Sequence, residues 1–291
     1  MALLQNVIKG RQPVPPRLMI YGSEGVGKST FAANAPKAVF VQTEDGLSEI
    51  DCARLPLVGS FDELLTQLKA IRDEEHDYQT LCLDSLDWTE RLVWDRVCAD
   101  YGVKCIEKAD GGYGKGYTHA LTYWRQIIAL LNEIRAKRNL AVVLIAHSKV
   151  ERFEDPEHAS YDRYTPRLHK AVCSLVCEWV DAVLFATRRM RVDSTTGKAA
   201  PVGADGGERI LRTNGSPACI AKNRYGLPTE LAPRGRRSWS ASATTQPSNQ
   251  ERKTQLWQPY RSTRLKSSHP HSTPSLRGHT RPSSPTPRRS P

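Results

Sequence analysis

One stretch of the chain decides its fold: Gly22-Ser23-Glu24-Gly25-Val26-Gly27-Lys28-Ser29, with Thr30 next in line. It fits the pattern GxxxxGK[ST] at every fixed position. The preceding residues, Arg17–Tyr21, are apolar and favour a strand, and Lys28–Ala35 favours a helix that Pro36 stops. Because the strand, the glycine-rich turn and the helix follow in this order, the stretch predicts a phosphate-binding P-loop rather than a chance match.

Each part of the P-loop has a predicted role toward ATP. The glycines let several backbone N–H groups point at one phosphate, and the helix that begins near Lys28 presents its positive end to the same anion. Lys28 is expected to reach the β- and γ-phosphates, and Ser29 to offer its hydroxyl to Mg²⁺. Leu81–Leu83 is an apolar strand that ends at Asp84, which predicts this carboxylate as the second holder of the metal. The sequence therefore predicts ATP and Mg²⁺ as ligands of Gly22–Thr30, with Ser29 and Asp84 on the metal.

ATP hydrolysis needs a residue that activates the attacking water, and the position directly after Asp84 does not supply a carboxylate for this. That position holds Ser85, where many P-loop ATPases carry Glu. Ala38–Gln42 predicts a second strand, and Glu44 follows it at the phosphate edge of such a sheet. A carboxylate there would orient and deprotonate the water, but a turn residue before Gly46 explains the segment equally well. From these residues alone both interpretations stay open.

Strands and helices alternate through the rest of residues 17–231. Apolar spacing predicts helices at Phe61–Glu75, Ser85–Ala99 and Thr118–Arg138, and strands at Leu140–Ala146 and Val180–Ala186. Turn signals within Arg188–Tyr225 predict β-hairpins. This alternation predicts an α/β domain with a mostly parallel sheet flanked by helices, after an extended segment at residues 1–16.

The net charge of +11 is concentrated in the last part of the chain. Residues 1–232 hold 30 Lys and Arg against 30 Asp and Glu, whereas residues 233–291 hold 12 basic residues and one acidic residue, Glu251. Residues 232–291 are rich in Ser, Pro and Arg and poor in aliphatic residues, which predicts a disordered tail. Two explanations of the change near Leu231 stay open: a native tail, and a frame-shifted or chimeric end.

Cysteine spacing and hydropathy predict a soluble cytoplasmic protein. The seven cysteines form no CxxC pair, which favours free thiols in a reducing compartment over zinc or disulfides. Cys173 and Cys177 lie four apart, on one face of a predicted helix. Met1–Gly10 has no signal-peptide pattern, and the longest apolar run, Leu140–Ala146, is too short to span a membrane. No membrane partner is expected.

The order of these segments resembles that of the RecA-like ATPases, which include RadA and the DnaB-type helicases. It is most similar to small phage-encoded RecA-like proteins of the phage nucleotide-binding (AAA-domain) family, some of which are single-strand annealing recombinases. The similar region runs from about Leu18 to Leu227. Besides the P-loop, the matching segments are Val41–Gly46, Leu81–Leu86, Ala141–Ser148 and Ala221–Gly226.

The resemblance implies roles for four further residues. It implies that Glu44 is the general base and that His147, at the end of the Ala141–Ala146 strand, senses the γ-phosphate. It also implies a homo-oligomer, ring or filament, in which Lys222 and Arg224 reach the neighbour's ATP site and stabilise transition-state charge. The competing interpretations are a polar strand end for His147 and a solvated hairpin for the two cations.

In RecA-like proteins two loops on one side of the sheet face the DNA, and the corresponding stretches here are Lys104–Tyr117 and Lys149–Lys170. The first interleaves lysines with glycines and tyrosines, which suits backbone and stacking contacts with single-stranded DNA. The second mixes arginines and aromatic residues with acidic ones. A lid and a subunit contact would explain the same residues.

The leading hypothesis is an oligomeric, DNA-stimulated ATPase that acts on single-stranded DNA in recombination or annealing. The alternative is a nucleotide-gated DNA-binding or loading factor with little turnover. A P-loop kinase of small molecules is disfavoured, because no Arg-rich lid follows Thr118–Arg138 and Lys222-Asn223-Arg224 would have no role.

Overall fold

A ten-stranded sheet forms the centre of the protein in the computed structural model, which describes residues 6–10, 12, 14–193, 195–203 and 206–233. The strands are β1 (Arg17–Gly22), β2 (Ala38–Gln42), β3 (Ala53–Arg54), β4 (Thr80–Asp84), β5 (Ala141–Phe153), β6 (Tyr161–Pro166), β7 (Ala182–Arg188), β8 (Met190–Val192), β9 (Ala199–Pro201), β10 (Arg209–Arg212), β11 (Lys222–Asn223) and β12 (Glu230–Leu231). The helices are α1 (Lys28–Ala33), α2 (Phe61–Asp73), α3 (Leu86–Asp100), α4 (Lys115–Arg138) and α5 (Lys170–Trp179), with a short 3₁₀ segment at Ile106–Gly111. The predicted disordered tail falls almost entirely on residues 234–291, which lie outside the described residues.

The central strands are parallel and follow the order β7-β1-β5-β4-β2. Their register aligns the carboxyl ends: Gly22 lies opposite His147, and Gln42 lies opposite Asp84. Loops that leave neighbouring parallel strands therefore meet at one edge of the sheet, the usual place for a ligand site in an α/β fold.

Helices cover both faces of the sheet, and successive side chains along a strand point to opposite faces. On β5, Val142 and Leu144 pack with the apolar residues of α2 to α5, whereas Val143 and Ile145 pack on the opposite side with Phe31 of α1. Burial on both faces explains why this strand is nearly continuous in apolar residues. The predicted fold class, a mostly parallel α/β sheet between helices, is confirmed.

The structure corrects the sequence interpretation between residues 147 and 170. Strand β5 continues to Phe153 and pairs in antiparallel register with β6, so the predicted DNA-facing stretch Lys149–Lys170 is mainly a β-hairpin. Cross-strand contacts hold it: Phe153 contacts Tyr161, and the Arg163 guanidinium lies 3.8 Å from the centre of the Phe153 ring. The apolar signal that marked β5 ends at Ala146, because only one face of the extension is covered.

The C-terminal part of the described chain contains the β-hairpin that the sequence predicts. Strands β8 and β9 pair with each other, and β10 adds in antiparallel direction to β7. Strand β12 forms the outer edge beside β10. In the part of the chain that the structure describes, no helix has both the length and the apolar character needed to cross a bilayer.

Candidate nucleotide site

The P-loop leaves β1 with two glycines whose conformation or surroundings exclude a side chain. A Cβ on Gly22 would lie 2.2 Å from the backbone oxygen of Ala186 on β7, so the two strands approach here as only glycine permits. Gly27 has φ 95° and directly precedes α1, in a left-handed conformation that disfavours other residues. The two fixed glycines of the motif are thus required for different reasons, a close strand approach at Gly22 and a left-handed backbone at Gly27.

The Lys28 ammonium lies inside the loop that the motif forms. Its Nζ donates hydrogen bonds to the carbonyl oxygens of Gly22 and Ser23, at 3.2 and 2.9 Å. Burial lowers the pKa of Lys28, although nearby carboxylates, Asp84 first among them, favour its charged form. Phosphate oxygens bound at this position would favour the ammonium further, so the site fits an anion.

Ser29 and Asp84 meet as the metal prediction requires. The Ser29 hydroxyl donates to Asp84 Oδ2 at 2.6 Å, across the gap between α1 and the end of β4. Burial raises the pKa of Asp84, and the neighbouring Glu44 carboxylate raises it further. A hydroxyl and a carboxylate are the oxygen donors that Mg²⁺ prefers, and a divalent cation would restore the charged carboxylate. The residues present therefore fit Mg²⁺ together with a polyphosphate.

Glu44 and His147 reach the same edge from the two strands that flank β4. Glu44 Oε2 accepts a hydrogen bond from the Ser85 hydroxyl at 3.0 Å and lies 3.8 Å from His147 Nδ1. The His147 ring and backbone N–H both bind the buried carboxylate of Asp87, at 3.0 to 3.1 Å. An ionised carboxylate only accepts hydrogen bonds, so Nδ1 carries the proton and Nε2 is left for a ligand.

The P-loop, Glu44, Asp84 and His147 line one cavity of about 400 Å³. Its lining comprises Glu24, Gly25, Gly27, Lys28, Ser29, Thr30, Glu44, Gly46, Ile50, Asp84, His147 and Arg209. The cavity thus brings together the predicted phosphate, metal and water-activating groups, which come from three separate parts of the chain.

Comparison with known proteins identifies the family. A family model described as an AAA domain matches residues 14–225, which include every residue of the cavity. The chain belongs to this family. With its P-loop, the AAA domain places the chain among the P-loop ATPases, whose common ligands are a nucleotide and, typically, Mg²⁺.

Two individual proteins are similar to this AAA-domain chain. The SPbeta prophage-derived uncharacterized protein YorG of Bacillus subtilis (strain 168) is 26% identical over 172 residues, which are 58% of this chain and 49% of YorG. The chain therefore spans about half the length of this relative. Among solved structures, the flagellar accessory protein FlaH of Methanocaldococcus jannaschii shares 11% sequence identity, with 69% of this chain and 78% of FlaH covered and a TM-score of 0.34.

Sequence reasoning did not connect three groups with the AAA-domain cavity. Asp87, in the first turn of α3, binds His147. Burial opposes the charge of Asp87, but the hydrogen bonds from His147 bring its pKa down to about 2. Arg167, which the sequence analysis placed in a DNA-facing stretch, lies 3.4 Å from both Glu24 and Asp87. Arg209 lies at the start of β10. None of the three stands in a motif, and only the spacing of Asp87 three residues after Asp84 hints at a role.

A second set of side chains at the same edge has the spacing that metal ligands need. Glu44, Asp87 and His147 offer ligand atoms that all lie within 4.8 Å of one another. The Asp87 oxygens and His147 Nδ1 already bind each other, so a metal ion there would displace that hydrogen-bond pair. The Ser29 hydroxyl can keep its hydrogen bond to Asp84 while a lone pair of its oxygen faces a cation, so this pair needs no such displacement.

The structure places Lys222 and Arg224 away from the AAA-domain chain's own cavity. They lie opposite the amino end of β7, at the sheet edge remote from the P-loop. Lys222 Nζ donates to three carbonyl oxygens at the end of α5, at 2.7 to 2.9 Å. Arg224 keeps 55% of its side chain exposed and contacts Asp181 at 3.5 Å. The role of both cations in a neighbour's site stays a prediction, and Lys222 already has a structural one.

Proposed function

We propose that this protein hydrolyses ATP with Mg²⁺ and acts on single-stranded DNA, in recombination or annealing of the phage type. The observation that carries the proposed hydrolysis is one cavity in which Lys28, the Ser29–Asp84 pair and Glu44 converge. Bound Mg²⁺ would supply positive charge to the transferring phosphoryl group. The residues of the chain then supply position and proton transfer.

The proposed division of labour follows from the contacts. Lys28 holds the triphosphate from inside the loop, and Asp84 with Ser29 holds the metal. Glu44 orients and deprotonates the attacking water, since its carboxylate lies at the cavity edge, where Oε2 accepts a hydrogen bond from the Ser85 hydroxyl and lies near the His147 ring. His147, fixed through Nδ1 by Asp87, presents Nε2 as the sensor of the γ-phosphate.

The DNA part of the proposal is supported by the first predicted loop. Asp110, Gly111, Gly112, Tyr113 and Gly114 all have positive φ, and the Tyr113 side chain is fully exposed. A glycine-rich turn that presents an aromatic ring, with exposed lysines at positions 104, 108 and 115, suits base stacking and phosphate contacts. The similarity to a prophage-derived protein supports a phage context.

The proposed assembly is a homo-oligomer, either a ring or a filament. Arg224 is exposed at the edge of the sheet opposite the P-loop, so it can serve an ATP site only in another copy. Such a contact would join the far edge of one subunit to the phosphate edge of the next, which generates a head-to-tail assembly.

The experiment that tests hydrolysis compares the wild type with Lys28→Ala and Glu44→Gln. ATP turnover is measured with and without single-stranded DNA, and Mg-nucleotide binding is measured separately. We expect Lys28→Ala to lose binding, and Glu44→Gln to bind ATP while losing turnover. Glu49→Gln, an exposed residue of the same segment outside the cavity, is the matched control.

Three results would contradict parts of this proposal. Normal turnover in Glu44→Gln would remove Glu44 as the base. Nucleotide binding without turnover in the wild type would favour the nucleotide-gated loading factor. For the DNA part, Tyr113→Ala should weaken the binding of a labelled oligothymidine by about tenfold, because one stacking contact with a base is lost. The control Tyr101→Ala should bind the oligothymidine as the wild type does. Equal binding by both variants would contradict the stacking loop.

A further inference from the structure

Arg209 reaches the phosphate edge of the sheet through strand pairing alone. Strand β10 runs antiparallel to β7, and Arg209 lies opposite Arg188, the last residue of β7. Gly22 lies opposite Ala186 on the same strand, so Arg209 stands just beyond the level at which the P-loop leaves the sheet. A residue some 180 positions after the motif thus becomes its neighbour.

The Arg209 guanidinium lies directly over the P-loop. A Cβ built on Gly27 would be 3.1 Å from Arg209 Nη1, and Arg209 is part of the cavity lining. The Arg209 guanidinium is therefore within contact distance of the P-loop backbone that is expected to bind phosphate.

Arg209 is an exposed residue, and within the described part of the chain its guanidinium forms no ion pair. Its neighbours differ in this respect: Arg189 pairs with Glu208 and Glu230, and Arg212 lies 3.9 Å from Glu230. An arginine without a carboxylate partner, held over a phosphate cradle, matches the geometry that a guanidinium uses to bind phosphate oxygens.

The strand order indicates which phosphates it faces. Strands β7 and β10 lie on one side of β1, and β5 and β4 lie on the other. Asp84, Glu44 and His147, the groups expected around the metal and the γ-phosphate, all come from the β5, β4 and β2 side. Arg209 approaches from the opposite side.

We propose that Arg209 binds the α- and β-phosphates of the nucleotide from within the same chain. This inference rests on the proposed nucleotide site and adds a cation that the P-loop motif does not include. It predicts that the contribution of Arg209 is the same for ATP and ADP, because both contain these phosphates. It also predicts that the contribution does not depend on assembly, since the residue belongs to the chain that holds the nucleotide.

The test measures the dissociation constants of Mg-ATP and Mg-ADP for Arg209→Ala, Arg209→Lys and the control Arg212→Ala, three residues along β10. We expect Arg209→Ala to weaken both nucleotides by about tenfold, the loss of one charged contact, and Arg209→Lys to weaken them less. The control should bind as the wild type does. Thermal unfolding of each variant without nucleotide shows whether the fold is kept, and Arg209→Gln replaces Arg209→Ala if the latter does not fold.

The outcomes separate this inference from the proposed function. Unchanged affinity in Arg209→Ala, with binding lost in Lys28→Ala, would overturn the inference and leave the ATP site in place. Weakened ATP binding with unchanged ADP binding would overturn the assignment to the α- and β-phosphates. A wild type that binds no Mg-nucleotide would overturn the proposed function itself.

Discussion

Glu90 offers a prediction whose size follows from the structure. The residue lies on α3 with 5% of its surface exposed, and both carboxyl oxygens accept from the backbone N–H of His169 at 3.0 Å. The pKa of Glu90 is raised from 4.5 to about 7, chiefly by burial. The His169 N–H and the Lys149 ammonium lower this pKa, and the Asp87 carboxylate raises it, but burial has the largest effect. The folded protein therefore binds a proton here that the unfolded chain releases.

The sign of the pH dependence follows from this difference in proton binding. Between the unfolded pKa near 4.5 and the folded pKa near 7, the folded state binds more protons, so the free energy of unfolding falls as pH rises. Each pH unit in that window costs up to 1.36 kcal/mol, which gives about 3 kcal/mol by pH 8. The contribution is fully present below pH 4.5 and is lost above pH 7.

The assay is denaturant unfolding of the wild type and Glu90→Gln at pH 5 and pH 8. Glutamine keeps an acceptor for His169 but does not titrate, so any packing cost of the change is the same at both pH values. We expect the free energy of unfolding of the wild type to fall by about 2.5 kcal/mol more than that of Glu90→Gln across this interval. Glu49→Gln, at an exposed position, should follow the wild type. Equal pH dependence in the wild type and Glu90→Gln would refute the reasoning.

Three further substitutions test other parts of the structure. Gly22→Ala should destabilise the fold by about 1–3 kcal/mol, since its Cβ would overlap the Ala186 carbonyl; thermal unfolding measures this, and an unchanged midpoint would contradict the close approach. Ser29→Ala should weaken Mg²⁺-dependent nucleotide binding by about tenfold in calorimetric titration while binding without Mg²⁺ is retained; equal loss in both conditions would argue against a metal role. Tyr21→Phe should cost about 1–3 kcal/mol in denaturant unfolding, because the buried hydroxyl donates to the Ile220 carbonyl at 2.6 Å; a neutral result would show that water replaces this bond.

Local patterns were sufficient for the elements whose information lies within a few residues. The predicted strand Ala38–Gln42 has the observed bounds, and the strand that ends at Asp84 is also present. The P-loop was readable because its glycines, lysine and serine are consecutive. Strand β6 and the extension of β5 were not predicted, because their residues are mixed in polarity and are ordered by pairing with each other.

The sequence by itself determined the α/β class, the P-loop and the residues that stand at the ends of its apolar strands, since each of these depends on contacts close in the chain. Only the tertiary structure decided which ends become neighbours. The register of β2, β4 and β5 brings Glu44 and His147 close to Asp84. The first turn of α3 brings Asp87 into hydrogen-bond contact with His147, and the antiparallel pairing of β10 with β7 brings Arg209 to the P-loop. Such neighbours are fixed by strand order and by pairing between distant segments, and no spacing within the sequence records them.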